Sequence, residues 1–139
     1  MIKKLIFIFI TLLPIEDAYS APNLPKGWLN QTVSNDFTWI ENLDRESLRL
    51  LSDSPHGQMA IGIIFTGECR PKFVKRLLEL GLDPDIELHD GASTPAHSIL
   101  ISKDKADVTC MEMLIDNGLD TNSLHRGLPT LLNDAIILK

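Results

Sequence analysis

The feature that most constrains this chain is an internal repeat with a fixed period. Residues 73–83 read FVKRLLELGLD, and residues 110–120, which lie 37 positions later, read CMEMLIDNGLD. Residues 88–91, LHDG, return after 36 positions as LHRG at 124–127. A period of this size is typical of stacked structural units. Because one unit cannot bury its apolar face alone, the repeat predicts that neighbouring units cover each other.

The apolar pattern inside each copy predicts a helix. In residues 72–80 the apolar side chains recur at helical spacing, with charged side chains on the other face. The second copy predicts a matching helix over 108–116, with Val108, Met111, Leu114 and Ile115 turned inward. A glycine follows each helix, at positions where a left-handed C-terminal cap is expected.

The sequence therefore predicts an all-α fold, a short solenoid of about three helix pairs with irregular end units. Proline and glycine predict an irregular lead-in over 21–34. The repeat domain is predicted to span 35–139, and the turn-forming run SPHG at 54–57 separates its first two units. The predicted units cover about 36–56, 57–90 and 91–126, with a partial unit at 127–139.

The first 20 residues have the pattern of a secretory signal peptide. Lys3 and Lys4 precede an apolar run over 5–13, and Ala18-Tyr19-Ser20 supplies small residues for cleavage after Ser20. The alternative is an uncleaved membrane anchor, but the apolar run is shorter than the roughly 20 residues that a membrane-spanning helix needs. We therefore expect a signal peptide helix at 1–20, export to the periplasm or the medium, and no stable membrane insertion afterwards.

The charge balance narrows the class of partner. The chain carries 13 Lys and Arg against 19 Asp and Glu, a formal net charge of −6. A negative net charge disfavours binding to nucleic acid and to anionic membrane surfaces. It suits another protein as partner, and a basic protein in particular.

The chain has two cysteines, and the sequence leaves their pairing open. Export would place Cys69 and Cys110 in an oxidising compartment, where cysteine pairs tend to join. The repeat sets Cys110 opposite Phe73, one helical turn away from Cys69, and this register opposes a bridge. A turn at Gly67-Glu68 that folds across would close the gap. The two alternatives are a Cys69–Cys110 disulfide and two separate thiols.

Two sequence motifs resemble the ankyrin-repeat family. Thr94-Pro95-Ala96-His97 matches the start of that family's signature, and residues 77–85 and 114–122 look like its Leu-Leu-x-x-Gly-Ala-Asp-x-Asn ending. The period here is 36 to 37 residues, which is longer than the family's 33 or so. The resemblance implies structural roles for the residues of the capping turns and the helix start, namely Gly81, Gly118, Thr94, Pro95 and His97.

The connections between units are the candidate binding surface. In such a stack the loop tips 86–90 and 123–126, here called the first and second fingers, would project side by side. The residues predicted to contact a partner are Ile86, Glu87, Leu88, His89, Asp90, Ser123, Leu124, His125 and Arg126. An alternative for Leu88 and Leu124 is that their side chains pack against each other, between the two fingers.

No residue pattern predicts catalysis or a cofactor. His89 and His125 occupy equivalent positions, but adjacent units stack about 10 Å apart, which is too far for both to reach one zinc ion. The acids that crowd the loops, such as Asp83, Asp85 and Asp120, are first turn formers and second an acidic rim. We find no nucleophile elbow, phosphate loop or run of metal ligands, so no cofactor and no enzymatic activity are predicted.

These features together predict a non-catalytic protein-interaction module of the bacterial envelope. The most concrete hypothesis is an immunity or inhibitor protein that neutralises a secreted toxin or lytic enzyme. The alternative is a periplasmic scaffold or a stress-protective envelope factor. An enzyme or metal carrier is a third class that the sequence does not favour.

Overall fold

The computed structural model describes residues 24–88, 93–101 and 108–122. The predicted signal peptide and the partial last unit lie outside these residues. The regular structure of the described residues is helical, apart from one isolated antiparallel bridge between Leu88 and Ser93. The helices are α1 (Trp28–Val33), a 3-10 helix (Thr38–Asn42), α2 (Arg45–Asp53), α3 (Pro55–Phe65), α4 (Pro71–Glu79), α5 (Pro95–Ile101) and α6 (Thr109–Asp116).

The helices pack in two rows. Helices α1, α3 and α5 contact one another in that order, and this set is called the inner row. The 3-10 helix, α4 and α6 likewise contact one another in order and form the outer row. Cross-row contacts join α3 to α4 and α5 to α6, so each of these pairs is one unit of the stack. The buried apolar side chains lie in a single core that all of these helices share.

The turn that ends an outer-row helix is built twice in the same way. Gly81 has a φ of 100° and Gly118 a φ of 95°, values that glycine adopts without steric cost. After the first glycine, the Leu82 amide donates to the Leu77 carbonyl at 2.9 Å. After the second, the Leu119 amide donates to the Leu114 carbonyl at 3.0 Å. These bonds satisfy carbonyls that the helix end leaves open. The 37-residue period is therefore a period in backbone conformation as well as in sequence.

Helices α4 and α6 run side by side in the same direction. At their N-terminal ends, Cys69 in the turn before α4 and Cys110 in the first turn of α6 are joined by a disulfide with a Cα–Cα distance of 5.7 Å. Beyond their last turns, the Asp120 amide donates to both carboxylate oxygens of Asp85, at 3.0 and 3.1 Å. Since both ends are tied, the two copies of the repeat are neighbours.

The predicted irregular lead-in over 21–34 is wrong for Trp28–Val33, which forms α1. The Thr32 hydroxyl donates to the Trp28 carbonyl at 2.9 Å and accepts from the Trp39 indole N–H at 3.0 Å. The two tryptophan rings meet edge to face with centroids 5.4 Å apart. Packing between these aromatic rings stabilises a six-residue helix that its local sequence alone does not predict.

The boundary between units, predicted at about 56/57, falls two residues inside α3. The helix begins at Pro55, and the Ser54 hydroxyl caps it by accepting from the Gly57 amide at 3.0 Å. Proline is well suited to the first helical position because the missing N–H needs no partner there. Ser54-Pro55 is thus the counterpart of Thr94-Pro95, since Thr94 caps α5 through an equivalent bond at 3.4 Å.

Helix α2 is not the outer helix of a first pair, as the predicted unit 36–56 required. It lies between the 3-10 helix of the outer row and α3 of the inner row, with only Ser54 separating it from α3. The first unit instead pairs α1 with the 3-10 helix. In chain order, α2 connects the 3-10 helix of the outer row to α3 of the inner row. The connection 83–93 joins α4 to α5 in the same way in the next unit.

The inward face of α6 differs from the predicted one. Cys110 and Leu114 are buried, whereas Val108 is 56% exposed and Ile115 is 47% exposed. The disulfide draws Cys110 toward α4, and Leu114 follows on the same face one turn later. The prediction that Val108 and Ile115 point inward is therefore wrong.

Candidate protein-interaction surface

The first finger is only partly a free surface. Ile86 and Glu87 are half-buried, and Leu88 is 1% exposed. A Leu88 methyl group lies 3.6 Å from the place where a Cβ on Gly62 would stand, so this leucine packs on α3. The prediction that Leu88 is an exposed anchor is wrong, because its side chain fixes the finger to the stack. The Leu88 amide also donates to the Ser93 carbonyl at 2.7 Å, which closes the base of the loop.

Most of the other predicted contact residues lie outside the described residues. These are His89, Asp90, Ser123, Leu124, His125 and Arg126. Their part in binding stays a prediction. Ile86 and Glu87 are the described members of the set that reach the surface.

Helix α2 forms the preceding connection of the stack, a place that the sequence analysis missed. Its exposed side carries Leu50, which is 38% exposed, and an ion pair between Arg49 and Asp53 at 3.7 Å. The helix starts at a strong cap, since the Asp44 carboxylate accepts from the Ser47 amide at 2.8 Å. That cap and the single residue between α2 and α3 were readable signals that α2 belongs to a connection.

A buried contact supports the base of the first finger. The Thr94 hydroxyl and Nδ1 of His97 lie 2.7 Å apart, and both residues are buried. The Ser98 hydroxyl donates to the Thr94 carbonyl at 3.2 Å. Pro95, also buried, stands at the first position of the same helix. These bonds fix the start of α5 directly after the strand-like closure of the loop.

The acids of the connections are engaged in turns. Asp83 accepts from the Asp85 amide at 2.9 Å, and Asp120 accepts from the Asn122 amide at the same distance. The Asp85 carboxylate in turn receives the amide of Asp120, as described above. Of the two interpretations of these acids, the geometry supports turn formation directly. Asp83 and Asp120 remain exposed, so their charge is still presented to solvent.

The turn that joins α3 of the inner row to α4 of the outer row is stabilised by Arg70. Arg70 donates to the Ile64 carbonyl at 3.0 Å and to the Asn35 side chain at 3.2 Å, and its guanidinium lies 4.5 Å from the Phe37 ring centroid. Cys69 joins the same turn to α6. An open cleft of about 510 Å³ lies beside it, lined by Asn35, Ile63, Thr66, Gly67, Glu68 and Arg70. Arg70 donates to several carbonyl groups of this turn, so its side chain serves to hold the turn in place.

One carboxyl group titrates away from its ordinary range. The side-chain hydroxyl and then the backbone amide of Thr38 donate to Asp36, and these bonds lower the pKa of its carboxyl. The residue lies two positions before the first residue of the 3-10 helix and is exposed. This shift therefore marks a helix start and not a buried reactive group.

Neither a cluster of metal ligands nor a membrane-spanning helix is found in the described ranges. Within them, no group of three or more His, Cys, Asp or Glu side chains is placed to hold a metal ion. No helix in the same ranges combines the length and the apolar character needed to cross a membrane.

Comparison with known proteins leaves the resemblance to ankyrin repeats as a prediction. No family model, curated protein or solved structure matches this chain.

Proposed function

We propose that this chain is an exported, non-catalytic protein-binding module whose units stack as a short ankyrin-like solenoid. The observation that carries the proposal is the pair of helix rows with the same capping turn at Gly81 and Gly118. Stacks of this kind use one extended side, made of inner helices and projecting connections, to bind partners. The buried Thr94–His97 contact at the start of α5 supports this proposal, because the ankyrin resemblance implies structural roles for both residues.

Export is the second part of the proposal. Residues 1–20 carry the pattern of a signal peptide. The Cys69–Cys110 disulfide is compatible with an oxidising compartment, where such bonds persist. These two grounds support the proposal that the protein acts in the bacterial periplasm.

The proposed binding side consists of α2 and the two fingers. Helix α2 contributes Leu50 within a charged surface, and the first finger contributes Ile86 and Glu87. An apolar centre within a charged rim is the usual make-up of a protein interface. The net charge of −6 favours a basic partner through faster association.

The specific role that we favour is inhibition of a secreted toxin or lytic enzyme. The protein is small, carries no recognisable catalytic set, and presents a charged side that could cover an active site. A scaffold in the envelope would bind a partner without stopping its activity. The two roles therefore differ in a single measurement on the purified pair.

The test starts with the partner recovered from envelope extract or encoded beside this gene, purified for calorimetry. The variant Ile86→Asp/Glu87→Lys should raise the dissociation constant for the partner by about tenfold or more. This is the effect of losing a contact worth over 1 kcal/mol. The control is Lys75→Glu on the exposed face of α4, where Lys75 pairs with Glu79 at 3.7 Å. This control should bind as the parent does.

Two outcomes contradict parts of the proposal. If the finger variant binds as tightly as the parent, the interface does not lie on this side. If the partner is an enzyme and keeps full activity in a saturated complex, the role is that of a scaffold and inhibition is wrong.

A further inference from the structure

The capping turn of the second copy differs from that of the first in the residue before its glycine. Leu80 precedes Gly81, whereas Asn117 precedes Gly118. Asn117-Gly118 is the only Asn-Gly pair in the chain. Its asparagine has a structural role, since Nδ2 donates to the Met113 carbonyl at 2.8 Å. That carbonyl belongs to the last turn of α6, whose carbonyl groups need partners from outside the helix.

The same pair also carries the groups for a reaction within the chain. The backbone nitrogen of a glycine can attack Cγ of an asparagine that precedes it, because glycine has no Cβ to hinder the approach. Asn117 and Gly118 are both exposed, so water and hydroxide reach them. At the equivalent place in the first copy, Leu80 has no amide and offers no such reaction.

The capping turn holds the reacting atoms apart in the folded state. The Gly118 amide donates to the Ile115 carbonyl at 3.1 Å, so its nitrogen is engaged. Asn117 has a ψ of 16°, and ring closure needs a rotation about this bond that carries the Gly118 nitrogen toward the side chain. The bond from Nδ2 to Met113 must break as well. The reaction therefore requires the cap to open, a local event that does not need global unfolding.

We propose that Asn117 is a deamidation site whose rate is set by the capping turn at Gly118 and by the tie of that turn to Asp85. Hydroxide takes the proton of the Gly118 nitrogen, which then bonds to Cγ of Asn117. The Cγ–Nδ2 bond breaks, and Nδ2 takes a proton from water and leaves as ammonia. Water then opens the cyclic imide at either of its carbonyl groups, so the product is aspartate or isoaspartate. The reaction transfers no electrons, and water is its co-reactant.

The isoaspartate product breaks the link between the two copies of the repeat. Its backbone runs through Cβ and Cγ, so the chain before Gly118 gains a methylene carbon. The Leu119 amide then loses its alignment with the Leu114 carbonyl. The Asp120 amide, which follows directly, loses its place against the Asp85 carboxylate. This consequence does not depend on the proposed function, because it concerns the joint between units.

The experiment incubates the full chain at mildly alkaline pH, folded or unfolded in urea with reductant, and maps the products at residue 117 by mass spectrometry. Product should form about tenfold or more slowly in the folded chain, because the open cap is a minor population. Asp85→Ala removes the acceptor of the Asp120 amide and should speed the folded-state reaction by about twofold to tenfold, the effect of losing one hydrogen bond. The matched control is Glu79→Ala, which removes the exposed ion pair with Lys75 and should leave the rate unchanged.

A further variant and the isolated product complete the test. Asn117→Leu gives the turn the residue of the first copy and should remove the product while keeping the fold. In the purified isoaspartate form, the Asp120 amide should lose its protection from hydrogen exchange. Equal rates in the folded and the unfolded chain, or in Asp85→Ala and Glu79→Ala, would overturn the proposal, because the capping turn and its tie would not control the reaction. So would an unfolded chain that gives no product at residue 117.

Discussion

Reduction of the Cys69–Cys110 disulfide should destabilise the protein strongly. The bridge joins the turn before α4 to the first turn of α6, and the two cysteines are 41 residues apart in sequence. It is the covalent link between two units whose other contacts are packing and hydrogen bonds. Without it, the unfolded chain regains the freedom that a closed loop of this length removes.

The size of the effect follows from the length of the loop. The chain-entropy relation gives about 4 kcal/mol for closing a loop of this size. Domains of this class unfold at a cost of roughly 5–15 kcal/mol, so the bridge supplies a quarter of the stability or more. With a urea dependence of about 1–3 kcal/mol per molar, the unfolding midpoint should fall by about 1–4 M.

Urea unfolding with and without a phosphine reductant measures this difference. The control is the double variant Cys69→Ala/Cys110→Ala, which should unfold at a low midpoint in both conditions. Hydrogen exchange then locates the loss. Amides in 95–101 and 109–116 should lose protection before those in 71–79, because α4 keeps its contacts with the 3-10 helix and α3 after reduction.

A midpoint that changes by less than the equivalent of about 1 kcal/mol would refute the reasoning about loop closure. A loss of protection spread evenly over all helices would refute the expectation that reduction first destabilises α5 and α6. In that case the units would unfold together, and the bridge would not be a local link between two of them.

Three further outcomes test the packing of single residues. Gly57→Ala would place a methyl carbon 2.0 Å from a backbone oxygen of α2, so thermal unfolding should show a loss of about 1–3 kcal/mol or more, whereas Gly62→Ala meets a side chain at 3.6 Å and should cost less. Asp85→Ala removes the acceptor that ties the two capping turns together and should cost about 0.5–1.5 kcal/mol in urea unfolding. Thr38→Val removes the larger cause of the lowered pKa of Asp36, so NMR titration should show that pKa rising toward its ordinary value of 3.8. Because the folded-state pKa is depressed, the stability it contributes is present above the ordinary value and is lost as the pH falls through the lowered one.

The period of the sequence predicted the parts of the fold that repeat. It predicted the helices Pro71–Glu79 and Thr109–Asp116 to within one or two residues, and it placed Gly81 and Gly118 at their left-handed caps. These features depend on local chemistry, namely apolar spacing and the freedom of glycine at positive φ. Local chemistry is fully written in the sequence.

The first unit was mispredicted because its stability is not local. Helix α1 has six residues and no side-chain cap, and its formation depends on the contact of Trp28 with Trp39 from the next element. The run Ser54-Pro55 was interpreted as a break because serine and proline are turn residues. The same two residues also start helices, and only the packing of α2 against α3 decides between the two outcomes.

The candidate surface was predicted less well than the fold, for a physical reason. The chemistry of Leu88 is the same in a loop that projects into solvent and in a loop that packs on a glycine of α3. The sequence was compatible with both arrangements. Because Gly62 has no side chain, Leu88 has room to pack on α3. The place of α2 in the stack was mispredicted because its apolar spacing indicates a packed helix but does not indicate which neighbour the helix packs on.

Comparing equivalent positions extracts more from this repeat than comparing sequences does. Leu78 and Ile115 are alike in size and apolar character, yet one is buried and the other is half exposed. Residue type therefore reports that a position suits a core, and exposure reports whether the position is covered. Where the two disagree, as at Ile101 and Ile115, the side chain lies outside the core that the described helices share. At Leu88, where they agree, the position belongs to the core, and a partner must be sought elsewhere on the connections.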